Sequence, residues 1–137
     1  MVTNMTPVDW AKRPIVEKYA DFSGRAPRAE YWWFALFVAI AEIILMIVDS
    51  LIGTGGIVGS YGILVMVFML AMIVPQIAVG VRRLHDTNHS GWWLLIAFIP
   101  LIGVIVLLVF FITSGDPGEN RYGPNPYGDA LGVVAAE

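Results

Sequence analysis

The stretch GVRRLHDTNHSGWW, residues 80–93, sets two arginines, two histidines and an aspartate between two long apolar runs. Charge gathered at one point between such runs belongs at a water-facing turn, with the flanking segments in hydrocarbon. The rest of the composition agrees. Of 137 residues, 58% are hydrophobic and 14% charged, and a mean hydropathy of +0.73 is too high for an ordinary soluble domain. The net charge of -3 argues against a nucleic-acid partner. The absence of cysteine excludes disulfides, thiolate chemistry and cysteine lipidation.

Upstream of the turn, residues 61–81 are apolar except for Gln76, which follows Pro75. A proline inside a span is tolerated where a neighbouring group takes up the carbonyl it leaves without a donor. Downstream, residues 92–113 carry no ionisable group, with Ser90 placed to cap their start and Trp92 and Trp93 at interface depth. Pro100 and Gly103 interrupt this run. One kinked span is the simpler reading. The alternative is a re-entrant hairpin breaking at 99–103, since about 22 residues are too few for two full crossings and enough for two half-helices.

A further apolar run, 32–52, is about 21 residues long and suffices to cross about 30 Å. It holds Glu42 near its middle and Asp49 near its end, seven apart and on one face with Ala35, Ala39 and Met46. A carboxylate facing lipid costs roughly 2.5 to 3.5 kcal/mol, so this face looks inward. The expectation is a helix–helix hydrogen bond, with Gln76 the candidate partner, and ion or proton transport by an oligomer is the alternative. A glycine-rich connection, 53–60, follows. Because the first run begins only after about thirty residues and has no small-residue cleavage pattern, it reads as a retained span.

Before it, residues 1–31 contain Ile15, Val16, Tyr19 and Phe22 in helical register, with Pro14 suited to a first turn and Lys12, Arg13 and Lys18 at the polar edge. A short interfacial helix over 14–22 is expected. Pro27 suits a second helix start, and Glu30 falls in its first turn. The tail, 114–137, is dense in glycine, proline and asparagine and reads as turns and a free end.

Lys12, Arg13, Lys18, Arg25 and Arg28 precede the first run, Arg82 and Arg83 lie in the 80–93 turn, and the glycine loop has no positive charge. The positive-inside rule therefore puts the N-terminus and the turn in the cytoplasm. Arg121 against Asp116, Glu119, Asp129 and Glu137 leaves the side of the tail open.

The candidate site follows from that clustering. Arg25, Arg28, Arg82 and Arg83, with His85 and Asp86, are expected to hold an anion or lipid headgroup, because guanidinium forks match phosphate oxygens. On this reading, alanine at both 82 and 83 lowers lipid retention without unfolding the protein. Asn120 and Arg121 could join the site only if a hairpin returns the tail. Glu42, Asp49 and Gln76 form the intramembrane polar set. His85 and His89 have two-histidine metal spacing only on a continuous helix, which Asn88, Ser90 and Gly91 oppose, and no nucleophile, base and orienter can be assembled, so neither metal, cofactor nor catalytic residues are assigned.

Three segments, FSGRAPRAEYWW at 22–33, GVRRLHDTNHSGWW at 80–93 and GDPGENRYGPNP at 115–126, together resemble the DUF805 family of small bacterial inner-membrane proteins. The resemblance covers roughly 16–126. It implies a multi-span inner-membrane fold and brings no reaction or ligand. At His89 the family is expected to carry arginine or lysine, which counts against an obligatory role there.

The reading that results is an all-α integral membrane protein with about three transmembrane helices (32–52, 61–81 and 92–113), the third with the hairpin alternative, and a short N-terminal amphipathic helix. It sits in a bacterial inner membrane with its N-terminus cytoplasmic. It is a non-enzymatic binder of anionic membrane lipids or of a membrane partner, a second copy of itself included.

Overall fold

The computed structural model describes residues 4–56, 59 and 61–128. Among them every regular element is a helix. The end of the tail, with Asp129 and Glu137, and residues 57, 58 and 60 of the glycine loop lie outside the described residues.

Helix α1 is Pro7–Val16, so the expected helix at 14–22 is displaced upstream. Thr6 and Asp9 form a reciprocal capping box, with Pro7 in the first turn, and this start signal outranks Pro14. Pro14 instead falls inside α1 and is buried with Trp10, while Tyr19 and Phe22 lie in the irregular segment that follows. Ile15 packs against a core cluster of Ala26, Phe34, Val38, Met72 and Val79.

Helices α2, Arg28–Ile52, and α3, Ile63–Asp86, are each long and apolar enough to cross a membrane. Pro27 occupies the N-cap of α2, and Gly53 ends it with φ 81°. The start of α3 has no capping side chain of its own, since its N-cap is Gly62. Asp49 of α2 supplies one. Its fully buried carboxylate accepts from Leu64 N at 3.1 Å, Val65 N at 3.0 Å and Thr54 Oγ1 at 2.6 Å. Gly62 is required here because a Cβ would overlap that carboxylate. Asp49 thus bonds across the helix pair, to two backbone amides of α3, and also to the Thr54 hydroxyl, rather than to Gln76.

Pro75 sits inside α3 and leaves the carbonyl of Ala71, four residues earlier, without its helical donor. The Tyr19 hydroxyl donates to that oxygen at 2.5 Å. The irregular segment after α1 is thereby fastened along α3.

The third apolar run is not one kinked span. It divides into a 3₁₀ helix, Gly91–Phe98, and α4, Ile102–Ile112. At about 2.0 Å and 1.5 Å per residue, each arm reaches about 16 Å, roughly half a hydrocarbon core. Ser90 caps the first arm through Trp92 N. The break has three causes. Ile99, preceding Pro100, is held extended (φ -89°, ψ 107°). Leu101 adopts φ 67° and ψ -58° in a γ-turn closed by Ile102 N donating to Pro100 O at 2.8 Å. Gly103 then lies so close to the carbonyl of Ile96 that any side chain would collide with it. The hairpin returns the chain to the end where α2 begins and α3 finishes, with Leu84, Leu107 and Phe111 packed beneath. Outward faces of all the long elements expose large apolar side chains such as Ile43, Ile47, Leu70, Phe98 and Val109, as lipid-facing surfaces do.

Candidate functional site, a buried arginine cap

A helix as short as α4 leaves its last carbonyls without partners. Arg83 answers them: its Nε donates to Phe111 O at 3.1 Å and its Nη2 to Thr113 O. Trp32 Nε1 also donates to Phe111 O and Arg28 Nη1 to Ile112 O, both at 3.2 Å. Positive charge at a helix C-terminus is also favoured by the helix dipole. The remaining Nη1 of Arg83 reaches Ala26 O at 3.4 Å and Asp86 Oδ2 at 2.7 Å. Four of the five donors of Arg83 are therefore engaged inside the protein.

Arg25 is engaged completely. Its Nε meets Asp86 Oδ1 at 2.9 Å, Nη1 donates to Gly118 O and Gly123 O, and Nη2 to Asp86 O and Asp116 O. Asp86 thus stands between two arginines, one on each oxygen. Its backbone oxygen also accepts from Asp116 N at 2.8 Å, and Gly115 lets the tail come this close because a Cβ would overlap the Asp86 carboxylate. Arg82 differs. Its Nε donates to Asp21 O at 3.0 Å and its Nη1 pairs with Glu30 at 2.5 Å, while its Nη2 has no partner among the described residues. Both side chains of that pair are at most 1% exposed.

Asn88, with φ 61°, bends the chain away after α3 and breaks the helical spacing of the two histidines. His85 Nδ1 lies 2.9 Å from Gly24 O, which can only accept, so Nδ1 carries the proton; the ring stacks on Tyr122 at 3.9 Å between centroids. His89 bonds Thr87 and stacks on Phe110 of α4. Among the described residues no three histidine, aspartate or glutamate side chains gather as metal ligands. Asn120 donates to His85 O at 2.9 Å and Arg121 to Asn88 O at 3.0 Å. The tail residues therefore do join the turn, by way of the hairpin.

The structure accordingly brings Arg25, Arg82, Arg83, His85, Asp86, Asn120 and Arg121 together and buries the first five. The expectation that alanine at 82 and 83 leaves the fold intact does not survive this geometry. Arg83 caps α4 and pairs with Asp86 while Arg82 neutralises Glu30, and removing one partner of such a buried pair costs about 3 to 5 kcal/mol. Arg28 and Arg121 lie exposed beside the cap, Lys12 lies exposed beside Trp33, and Trp32, Trp33, Trp92 and Trp93 are exposed too.

Outside the cap, Asp21 accepts from the Ser23 hydroxyl and amide and from Lys18 Nζ. Those bonds, the Ser23 hydroxyl foremost and the lysine next, hold its carboxyl well below the usual range. Glu42 and Gln76 line a groove of about 260 Å³ between α2 and α3, with Tyr31, Ala35 and Ala39.

Glu30 and Tyr19 escaped the sequence reading in their actual roles. Glu30 was legible as a first-turn acid, but its arginine lies 52 positions away. The readable signal was composition: few acids exist in the apolar part of the chain, and each needs a partner.

The model of the family described as "Protein of unknown function (DUF805)" matches residues 19–124. Among curated proteins, the Escherichia coli K12 inner membrane protein YhaI is 45% identical over 112 residues, which is 82% of this chain and 91% of that protein. Inner membrane protein YhaH of the same organism is 41% identical over 119 residues, 87% of this chain and 97% of its own length. No solved structure matches the chain.

Proposed function

This chain belongs to the DUF805 family of inner-membrane proteins, and from that premise we propose that it is a multi-pass, non-enzymatic protein that engages anionic lipid headgroups at the cytoplasmic surface. Two helices, α2 and α3, cross the bilayer, and the 3₁₀–α4 hairpin enters it halfway from the cytoplasmic side. The N-terminus, the arginine-rich turn and the described part of the tail then share the cytoplasmic face, in accord with the distribution of lysine and arginine.

The observation that carries this reading is the division of labour among the cations. Arg25 and Arg83 are buried and committed to holding the cap together, whereas Arg28 and Arg121 give it one bond each and otherwise stand exposed, as does Lys12 beside Trp33, with tryptophans of α2 and the 3₁₀ helix exposed as well. A rigid cap with an outer ring of positive charge and amphipathic aromatics suits a headgroup layer. Lys12→Gln, Arg28→Gln and Arg121→Gln should each weaken selective retention of anionic over zwitterionic lipid, by about fivefold per charge. Native mass spectrometry of the protein extracted from membranes reads this. Unchanged lipid carry-over in the triple variant overturns the proposal.

A second reading has one supporting observation. Glu42 makes no side-chain hydrogen bond among the described residues and shares its groove with Gln76, as a proton or ion site in an oligomer would. Flux in proteoliposomes that disappears in Glu42→Gln would establish it, and a strictly monomeric protein would remove it.

A further inference from the structure

A chamber of about 470 Å³ opens between α1, the segment after it, the end of α3 and the tail. Four cations line it: Arg13, Lys18, Arg25 and Arg82, and among the described residues no carboxylate does. Tyr122 and Asn125 close the tail side. The carboxylates that pair with these cations, Glu17, Asp21, Asp86 and Glu30, all lie outside the lining.

The donors differ in how far they are satisfied. Arg25 has none left. Arg82, whose side chain is 1% exposed, has two of its five N–H groups engaged, and Nη2 has no partner among the described residues. Arg13 has no hydrogen-bond partner among them at Nε or Nη1, with Glu17 3.6 Å away. Guanidinium N–H groups withdrawn from water and left unmatched are costly, and Glu30 Oε2 beside Arg82 is left unmatched with them; what points to an anion is the chamber itself, with four cations on its wall. A single water cannot match two forks and an ammonium. An oxyanion with three or more oxygens can, and its charge suits a lining whose charged side chains, among the described residues, are all cations.

We propose that this chamber binds a phosphoryl group, either as free phosphate or phosphomonoester or as the headgroup of a phosphatidic-acid-like lipid. Arg82 supplies the buried fork, Arg13 a second, and Lys18 the mobile ammonium at the mouth, where its side chain is about a third exposed. The site is distinct from the outer ring of Lys12, Arg28 and Arg121, none of which lines it, so either can fail alone.

The test uses the full chain, purified in detergent and also reconstituted in nanodiscs of phosphatidylcholine with and without phosphatidic acid. Unfolding midpoints are measured against inorganic phosphate in micelles, at constant ionic strength set with chloride, and against phosphatidic acid in the discs. Arg82→Lys keeps the charge beside Glu30 and removes the fork, but it can impair folding. Lys18→Gln touches no buried pair and serves as the second variant, with Arg13→Gln as the third. A rise in midpoint with phosphate that weakens about tenfold in apparent affinity in Lys18→Gln supports a soluble phosphoanion. Silence toward phosphate, with a rise on phosphatidic acid that Lys18→Gln and Arg13→Gln diminish, supports the lipid headgroup. No response in either medium, or a response that both variants leave unchanged, overturns the proposal and leaves the chamber to water.

Discussion

Tyr19→Phe removes a single oxygen and should strand the carbonyl of Ala71, because Pro75 cannot donate to it. A hydrogen bond of this kind is worth about 1 kcal/mol net, and interhelical bonds in membrane proteins average about 0.6 kcal/mol with a ceiling near 1.7. Tyr19 is 40% exposed, so its ring contributes little further packing and the loss should be about 1 kcal/mol. The cause is separable from any generic effect of the hydroxyl. Pro75→Ala restores the backbone N–H, which can bond Ala71 O within α3. In that background Tyr19→Phe should cost no more than about 0.3 kcal/mol, giving a coupling of about 0.7 kcal/mol in the double-mutant cycle. Reversible unfolding in mixed micelles of rising dodecyl sulfate fraction, followed by tryptophan fluorescence, supplies the four free energies. An equal cost of Tyr19→Phe in both backgrounds refutes the assignment of the tyrosine to the proline's carbonyl.

Other outcomes follow from the same structure. Gly62→Ala should destabilise by about 2 kcal/mol or more through collision with Asp49, while Asp49→Ala should cost about 1 to 2 kcal/mol as a lost cap and speed amide exchange at Leu64 and Val65. Leu101→Gly should raise the unfolding free energy by about 1 kcal/mol by relieving a positive-φ turn, whereas Gly103→Ala should lower it by forcing the hairpin arms apart. Glu30→Gln should cost about 3 to 5 kcal/mol by leaving Arg82 buried and unneutralised, and Glu30→Leu with Arg82→Met should recover most of it in the same assay. The depressed carboxyl of Asp21 contributes stability above its ordinary range of about pH 4 and loses it as pH falls through the lower folded value. The stability gap between the protein and Asp21→Asn should therefore close on acidification, and a gap that widens refutes the bonding assigned to Asp21.

The two long helices were legible because length and hydropathy suffice to specify them, and Pro27 and Gly53 mark the two ends of α2. The hairpin was legible as an alternative. Pro100 and Gly103 announce a break, but choosing between a kink and a reversal depends on whether Gly103 meets Ile96, a contact that no periodicity encodes. Helix α1 was misplaced because Pro14 fits a helix start on its own, and the reading passed over the stronger pair Thr6 and Asp9. The arginines were recognised as a group, yet their work was not. Charge invites a reading in terms of outside ligands. The carbonyls at 111 and 113 that Arg83 serves are free acceptors because α4 ends there, and within reach because it ends beside α3.

The bonds from Arg25 to the carbonyls of residues 116, 118 and 123 tie the segment before α2 to the segment beyond the hairpin. Without those carbonyls Arg25 keeps only Asp86 as a partner, and its other N–H groups are buried unmatched. A chain that stops short of residue 116 therefore keeps the apolar length of α2 and α3 and leaves Arg25 in search of water.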